Sequence, residues 1–177
     1  MYLVKNSKKR VETLKFRIRK QKFYIFFLMF FIFFLRIFII SPVSVSGISM
    51  EPTLYSGETG IVFKKGSIER NDIICFIGEK ESGDIFIKRV IGLAGDSIKI
   101  NENEIFVNRI QLEEPYLIKY PLNSNFNLAN IEFTVPKGKI FVLGDNRIVS
   151  LDSREIGYVS EEEVIGKLII SFGIRNN

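Results

Sequence analysis

Residues 85–107 read IFIKRVIGLAGDSIKINENEIFV and contain three short apolar segments separated by turns. The segments are residues 85–91, 97–100 and 105–107, and each is rich in Ile, Val or Phe. Segments of this length and composition, bounded by Gly, Asn and Asp, are typical of β-strands. The last two segments are joined across residues 101–103, which predicts a β-hairpin.

The same pattern extends in both directions and predicts a mainly β domain with an antiparallel, bent or barrel-like sheet. Five further strands are predicted, at residues 60–63, 73–77, 131–135, 140–143 and 167–172. We also expect one short helix at residues 161–165, with Ser160 as its N-cap and acidic residues in its first turn. Residues 108–130 are less regular and are predicted to form a long surface excursion of unknown role.

The N-terminal part of the chain differs in composition from the rest. Residues 1–22 carry a net charge of +8, and residues 23–40 (FYIFFLMFFIFFLRIFII) are apolar except for Arg36. Eighteen helical residues span about 27 Å, close to the thickness of a bilayer core. We therefore predict a basic cytoplasmic tail (1–22), a transmembrane anchor (23–40) and an extracytoplasmic β domain (41–177), in the orientation that the positive-inside rule favours.

A cleavable signal peptide is the alternative interpretation, because Ser44 and Ser46 have the spacing of a cleavage site. The apolar run is longer than the usual 7–15 residues of such peptides, so we favour an uncleaved anchor. The tail itself could be helical or disordered on sequence grounds.

Charge and cysteine content exclude several classes of function. Residues 41–177 have a net charge of −4, so we expect no nucleic-acid partner but a lipid bilayer against the basic tail. Cys75 is the one cysteine and the chain has no histidine, which excludes an intramolecular disulfide and a Cys/His metal cluster. Cys75 is expected to be a small buried apolar residue.

Ser49 is the first candidate catalytic residue and lies in the stretch VSGISMEPTL, just after the apolar run. Gly47 permits an unusual backbone angle, and Pro52 restricts the turn that follows. Such a turn can present the hydroxyl with free backbone N–H groups nearby, as an oxyanion hole requires. The competing interpretation is an exposed serine in a loop near the membrane.

Lys88 is the candidate base, since no imidazole exists to activate Ser49. In a strand at 85–91, Lys88 shares one face with Phe86 and Val90, and Arg89 lies on the other face. An amine among apolar neighbours has a lowered pKa and can accept a proton from a serine hydroxyl. The competing interpretation is an ordinary lysine whose ammonium reaches water.

Residues 144–157, GDNRIVSLDSREIG, form a dense polar stretch after the strand at 140–143. We expect Asp145 or Asp152 to pair with Arg147 or Arg154, which would make the loop rigid. A serine of this stretch, Ser150 or Ser153, would hydrogen-bond the Lys88 amine and orient it. The competing interpretation is a rigid polar turn without a catalytic part.

Together these stretches resemble bacterial type I signal peptidases, of the small single-anchor kind typical of Gram-positive organisms. The matching segments are SGISMEPTL, IKRVIGLAGD, GDNRIVSLDSREIG and the strand NDIICF, in the family's order and spacing. The resemblance implies that Ser49 is the nucleophile and Lys88 the general base, with Met50 in its usual place.

The same resemblance implies supporting roles in the polar stretch: Ser150 orients the lysine, and Asp152 and Arg154 form an ion pair. The sequence departs from the family at Gly47, where some members have a serine that helps the oxyanion hole. It also departs at three positions with no predicted catalytic role: Asn71, Ala94 and Ile148.

The function that the resemblance implies is removal of signal peptides from secreted preproteins with small residues at positions −1 and −3. It implies no metal or cofactor, and we expect the protein to be a monomer. Two alternatives remain: a peptidase dedicated to one pilin-like protein, and a non-catalytic factor for assembly of surface structures. A self-cleaving repressor-type protease is disfavoured by the anchor and by the lack of a DNA-binding segment.

Overall fold

The computed structural model describes residues 2–78, 83–101, 104–117 and 131–173, and for residues 2–11 and 13 the backbone alone. The chain divides into two compact units, Met1–Ile40 and Ser41–Asn177. The predicted division of the first unit into a tail and an anchor at residue 22 stays a prediction.

The first unit is one long helix, α1, which runs from Tyr2 to Phe38. It continues through the basic segment, where the sequence had left helix and disorder open. Leu14–Phe38 is long and apolar enough to cross a membrane, with a mean hydropathy of 1.8. Its large side chains are exposed, Phe26 at 70 % for example, as in a helix whose surroundings are lipid.

The second unit consists of two β-sheets. The larger sheet has the strand order β1-β2-β11-β3-β4-β9-β10, and the smaller has the order β7-β6-β5-β8. The strands are β1 Ile40–Ser44, β2 Thr59–Phe63, β3 Ile73–Ile77, β4 Ile85–Gly92, β5 Ser97–Asn101, β6 Glu104–Val107, β7 Ile110–Gln111, β8 Ile131–Thr134, β9 Lys139–Leu143, β10 Val159–Ser160 and β11 Val164–Phe172. A short helix, α2, spans Ser153–Ile156, and a 3-10 turn spans Glu161–Glu163.

The described strand pairs are antiparallel, so the predicted fold class is confirmed. All eight predicted strands are present with small shifts at their ends. The predicted hairpin is confirmed by the pairing of Asn101 with Glu104, although its two connecting residues lie outside the described part.

The predicted helix at 161–165 is present only in part, with Ser160 as its N-cap and acidic residues in its turn as predicted. It shrinks to the 3-10 turn, in which the Ser160 N–H donates to the Glu163 carboxylate at 3.1 Å. Val164 already belongs to β11, where it pairs with Phe76 of β3. The strand pairing outweighs the weak local preference for helix, and Val164 and Ile165 are β-branched residues suited to a sheet. The short elements β1, β7, β10 and α2 were not predicted.

Strand β4 is central to the larger sheet and to its packing. Ile87, Val90 and Ile91 each belong to a different apolar cluster. Burial of one such side chain stabilises the folded state by roughly 1.5–3 kcal/mol. Lys88 pairs with Ile74 of β3, and Arg89 pairs with Leu143 of β9. This pairing places Lys88 and Arg89 beside the end of β9, where residues 144–157 begin.

Candidate active site

Ser49 lies in a tight turn that the core holds in place. Met50, the next residue, is buried with Leu54 in the cluster that also contains Cys75, and the Leu54 N–H donates to the Met50 carbonyl at 3.0 Å. The Ser49 carbonyl accepts the Asn146 N–H at 3.0 Å. The serine backbone is therefore fixed both by apolar packing and by the polar stretch.

Lys88 meets Ser49 directly. Its Nζ donates to Ser49 Oγ at 2.8 Å, although the two residues are 39 positions apart in sequence. The side chain is 5 % exposed, and the amine lies 5.5 Å from the Phe86 ring centroid on the predicted strand face. The structure thus brings the two predicted catalytic side chains into hydrogen-bond contact.

Burial lowers the pKa of Lys88 to about 8, because removal from water penalises the charged amine. The carboxylates of Asp152 and Asp145 oppose this shift, and the positive charge of Arg154 adds to it. The amine is therefore much closer to neutrality at physiological pH than an exposed lysine.

Arg89, on the opposite face of β4, forms a bidentate ion pair with Asp145. Its Nε and Nη2 lie 2.9 and 2.7 Å from the two carboxylate oxygens, and its Nη1 donates to the Asn71 carbonyl at 2.9 Å. Thr53 donates to the same carboxylate at 2.5 Å. Of the two carboxylates expected to pair with Arg147 or Arg154, Asp145 pairs instead with Arg89, because the register of β4 and β9 places that guanidinium beside it.

Asp152 and Arg154 form the other expected pair. Arg154 Nε and Nη2 lie 2.7 and 2.8 Å from the Asp152 carboxylate, which also accepts the Gly144 N–H at 2.9 Å. Asp152 is fully buried and is the N-cap of α2. The pair therefore ties the two ends of the polar stretch together.

Ser150 and Ser153 have different surroundings. Ser153 Oγ accepts the Val142 N–H at 2.9 Å and so supports the end of β9. Ser150 is 3 % exposed, and its Oγ has no hydrogen-bond partner within the described part of the chain. The predicted Ser150–Lys88 hydrogen bond is thus absent in this conformation, in which the Lys88 amine donates to Ser49.

Gly47 has φ = +84°, a left-handed angle that favours glycine. Its N–H donates to Ser56 Oγ at 3.3 Å. The Ser49 N–H has no acceptor among the described residues, as is required of a donor reserved for a substrate oxyanion.

A groove of about 480 Å³ opens at the two side chains. Its walls are mostly apolar, and it is lined by residues 44–50, residues 84–88, Val149 and Leu151. An extended peptide that entered it would meet Ser49 and Lys88 together. Among the described residues, no three Cys, Asp or Glu side chains converge as metal ligands do.

Sequence reasoning missed Thr53, Glu114 and Tyr116, which also reach this region. Thr53 is four residues from Ser49 in a sharp turn, so its proximity could have been inferred. Glu114 and Tyr116 follow β7, the short edge strand of the smaller sheet, and no local pattern links them to β4.

One protein family, described as "Signal peptidase, peptidase S26", matches residues 18–172 of this chain. Signal peptidase I U of Bacillus subtilis is 45 % identical over 134 residues, which cover 71 % of each chain. Signal peptidase IB of Staphylococcus aureus is 34 % identical over 151 residues, covering 76 % of this chain and 78 % of the relative. The crystal structure of a signal peptidase I from Enterococcus faecalis is similar with a TM-score of 0.53 and 33 % identity, covering 59 % of this chain and 98 % of that one.

Proposed function

The chain belongs to the signal peptidase family, peptidase S26, and we propose that it removes N-terminal signal peptides from secreted preproteins through a Ser49–Lys88 dyad. The observation that carries this proposal is the 2.8 Å contact between Lys88 Nζ and Ser49 Oγ at the groove. A buried amine with a lowered pKa is the kind of group that can deprotonate a serine hydroxyl at this distance.

In the proposed reaction, neutral Lys88 takes the Ser49 proton while Oγ attacks the scissile carbonyl carbon. The Ser49 N–H stabilises the negative oxygen of the tetrahedral intermediate. Lys88 then returns the proton to the departing amine of the mature protein, which leaves the signal peptide esterified to Ser49. Lys88 then deprotonates a water molecule that attacks this ester, and it passes the proton to Ser49 Oγ as the signal peptide leaves with a free carboxyl terminus.

Several neighbours support the dyad by holding it in place. Met50 anchors the nucleophile turn in the core, and the Asp152–Arg154 pair ties the ends of the polar stretch. Ser150 orients the Lys88 amine once it swings from Ser49 during the reaction; its buried hydroxyl without a partner supports this role. Gly47 keeps the approach to Ser49 open, since no atom lies within 4 Å of the position that a Cβ would take.

We propose that α1 anchors the enzyme in the cell membrane, with the N-terminus in the cytoplasm and the β domain outside as a monomer. Eight residues lie between Ile40 and Ser49, so we expect the groove to be tethered near the bilayer where a signal peptide is held. This proximity replaces part of a three-dimensional search. We expect small residues at −1 and −3 of the substrate; alternate side chains of an extended peptide lie on the same face, so these two positions would meet the same wall of the groove.

The test compares three full-length variants in phospholipid vesicles containing a model preprotein. We expect Ser49→Ala and Lys88→Ala to abolish processing and Ser67→Ala, a change of an exposed serine, to leave it intact. Sequencing of the new N-terminus identifies the cleaved bond. Near wild-type cleavage by Lys88→Ala would overturn the assignment of the base.

The same assay separates the alternatives. A peptidase dedicated to a pilin-like protein would leave the general preprotein uncut and cleave only that protein. A non-catalytic assembly factor would cleave neither, and the contact between Ser49 and Lys88 argues against it.

A further inference from the structure

Residues 114–117, EPYL, form a tight turn, here called the Glu114 turn. The Leu117 N–H donates to the Glu114 carbonyl at 3.2 Å, and Pro115 restricts the backbone at the second position. The Tyr116 hydroxyl donates to Glu114 Oε1 at 2.9 Å. Burial, followed by the neighbouring carboxylate, raises the pKa of Tyr116, so the hydroxyl keeps the proton that it donates.

The smaller sheet holds this turn in place. Leu112, just before it, packs against the apolar cluster that contains Ile98 and Val107, and its N–H donates to the Ile105 carbonyl at 2.7 Å. The two side chains of the turn are therefore presented as one rigid pair.

Tyr116 covers the face of Arg89. The guanidinium carbon of Arg89 lies 3.8 Å from the Tyr116 ring centroid, a cation–π contact at a side chain that is only 10 % exposed. The edges of the same guanidinium are occupied by Asp145 and the Asn71 carbonyl. Since Arg89 directly follows Lys88 in β4, the ring limits the movement of the strand that carries the base.

Glu114 pairs with Arg147 in the polar stretch. Both Arg147 Nη atoms contact the Glu114 carboxylate, and the two side chains are each 8 % exposed. Arg147 Nε donates to the Gly144 carbonyl at 2.9 Å, and the Asn146 N–H holds the Ser49 carbonyl. Glu114 thus acts on the loop that fixes the nucleophile.

Three arginines are buried or nearly buried here, each beside one carboxylate. The Arg89–Asp145 and Arg154–Asp152 pairs lie within β4 and residues 144–157. The partner of Arg147, Glu114, comes from a different part of the chain. A buried charge without its partner is strongly destabilising, so we expect Arg147 to move towards water when Glu114 is lost. Movement of Arg147 would disturb the neighbouring Asn146, whose N–H donates to the Ser49 carbonyl.

We propose that Glu114 and Tyr116 are positioning residues of this peptidase, which clamp Arg89 and Arg147 so that Lys88 and Ser49 keep their reactive distance. The inference rests on the proposed function of that dyad. Neither residue lines the groove, so their loss lowers the rate of the chemical step more than substrate binding.

The experiment measures kcat and KM of the full-length enzyme in detergent micelles with a preprotein substrate. We expect Tyr116→Leu to lower kcat about tenfold with KM within about twofold, because a small misplacement of the dyad is costly. Tyr116→Phe keeps the ring over Arg89 and should retain kcat within about threefold of wild type. Glu114→Gln removes the charge at constant shape and should lower kcat like Tyr116→Leu.

The matched control is Tyr158→Leu. Tyr158 packs against the rings of Phe133 and Phe141 at 5.9 and 6.3 Å, so its loss should lower the Tm and leave kcat unchanged. An equal loss of kcat in Tyr158→Leu and Tyr116→Leu at similar Tm would overturn the positioning role. So would full activity of Tyr116→Leu and Glu114→Gln.

The double variant Tyr116→Leu/Glu114→Gln supplies a second readout. Since the two side chains act as one unit, we expect its kcat to lie within about twofold of the slower single variant. If the kcat losses of the two single variants multiplied in the double variant, the two side chains would act independently, which would contradict a common clamp. If Ser49→Ala stays active, the dyad itself fails; if Ser49→Ala is inactive while the clamp variants are unaffected, only this inference fails.

Discussion

At the scale of single residues, the chemistry depends on where one amine is buried. A lysine exposed to water keeps its proton at neutral pH and cannot act as a base. Lys88 is buried beside Phe86, and this burial is the largest influence on its pKa, ahead of Asp152 and Asp145, which raise the pKa, and Arg154, which lowers it. Desolvation therefore decides the protonation state, as the strand alternation in the sequence had predicted.

The first prediction concerns pH. In the proposed mechanism only the neutral form of Lys88 can accept the Ser49 proton, and burial lowers the pKa of Lys88 to about 8. We therefore expect kcat/KM to rise about tenfold per pH unit below that value and to level off above it. The measurement is a rate profile from about pH 6 to about pH 9.5, with circular dichroism at each pH to verify folding. A flat profile, or one that falls as pH rises, would be incompatible with an amine base.

At the scale of elements, the polar stretch at 144–157 works as a connector between β9 and the nucleophile turn. Its Gly144 is enclosed: a Cβ there would lie 2.1 Å from Ser150 Oγ and 2.6 Å from the Ser49 carbonyl oxygen. Contacts of this kind leave no room even for a methyl group, so glycine is required at this position for steric reasons.

The second prediction is that Gly144→Ala disables the enzyme. The added methyl must displace Ser150 or the Ser49 backbone, and we expect kcat/KM to fall about a hundredfold. The control is Gly138→Ala, where φ is +72° and no atom lies near the added Cβ. It should lower the Tm by a few degrees through backbone strain and leave kcat/KM unchanged. Activity of Gly144→Ala within about threefold of wild type would refute the steric argument.

Local pattern predicted the elements better than it predicted their contacts. Alternation and turn residues identified eight strands, and the motif spacing identified Ser49 and Lys88, which the structure brings together. The partners of Asp145 and Arg147 were missed because they depend on strand register and on a segment 33 residues away. Pairings of that range leave no periodic signal in one sequence.

At the scale of the whole molecule, charge is divided unequally along the chain. Residues 1–22 carry a net charge of +8 and residues 41–177 a net charge of −4, with the apolar residues 23–40 between them. A basic segment beside an apolar helix resists translocation, whereas the acidic β domain offers little resistance. These properties favour a cytoplasmic N-terminus and an external active site.

The last prediction tests this topology by cysteine labelling in intact cells. Cys75 is 1 % exposed and burial raises the pKa of its thiol to about 12, so the natural chain should react poorly with a membrane-impermeant maleimide. Lys137 is exposed on the β domain, and Lys137→Cys should be labelled from outside. Ser7→Cys, in the basic segment, should be labelled only after the membrane is permeabilised. Labelling of Ser7→Cys but not Lys137→Cys in intact cells would reverse the proposed orientation.

Because an uncleaved anchor keeps residue 7 attached to the catalytic domain, the labelled Ser7→Cys product should also have the mass of the full chain. A short labelled fragment would instead indicate cleavage near Ser46 and would replace the anchor with a removable signal peptide.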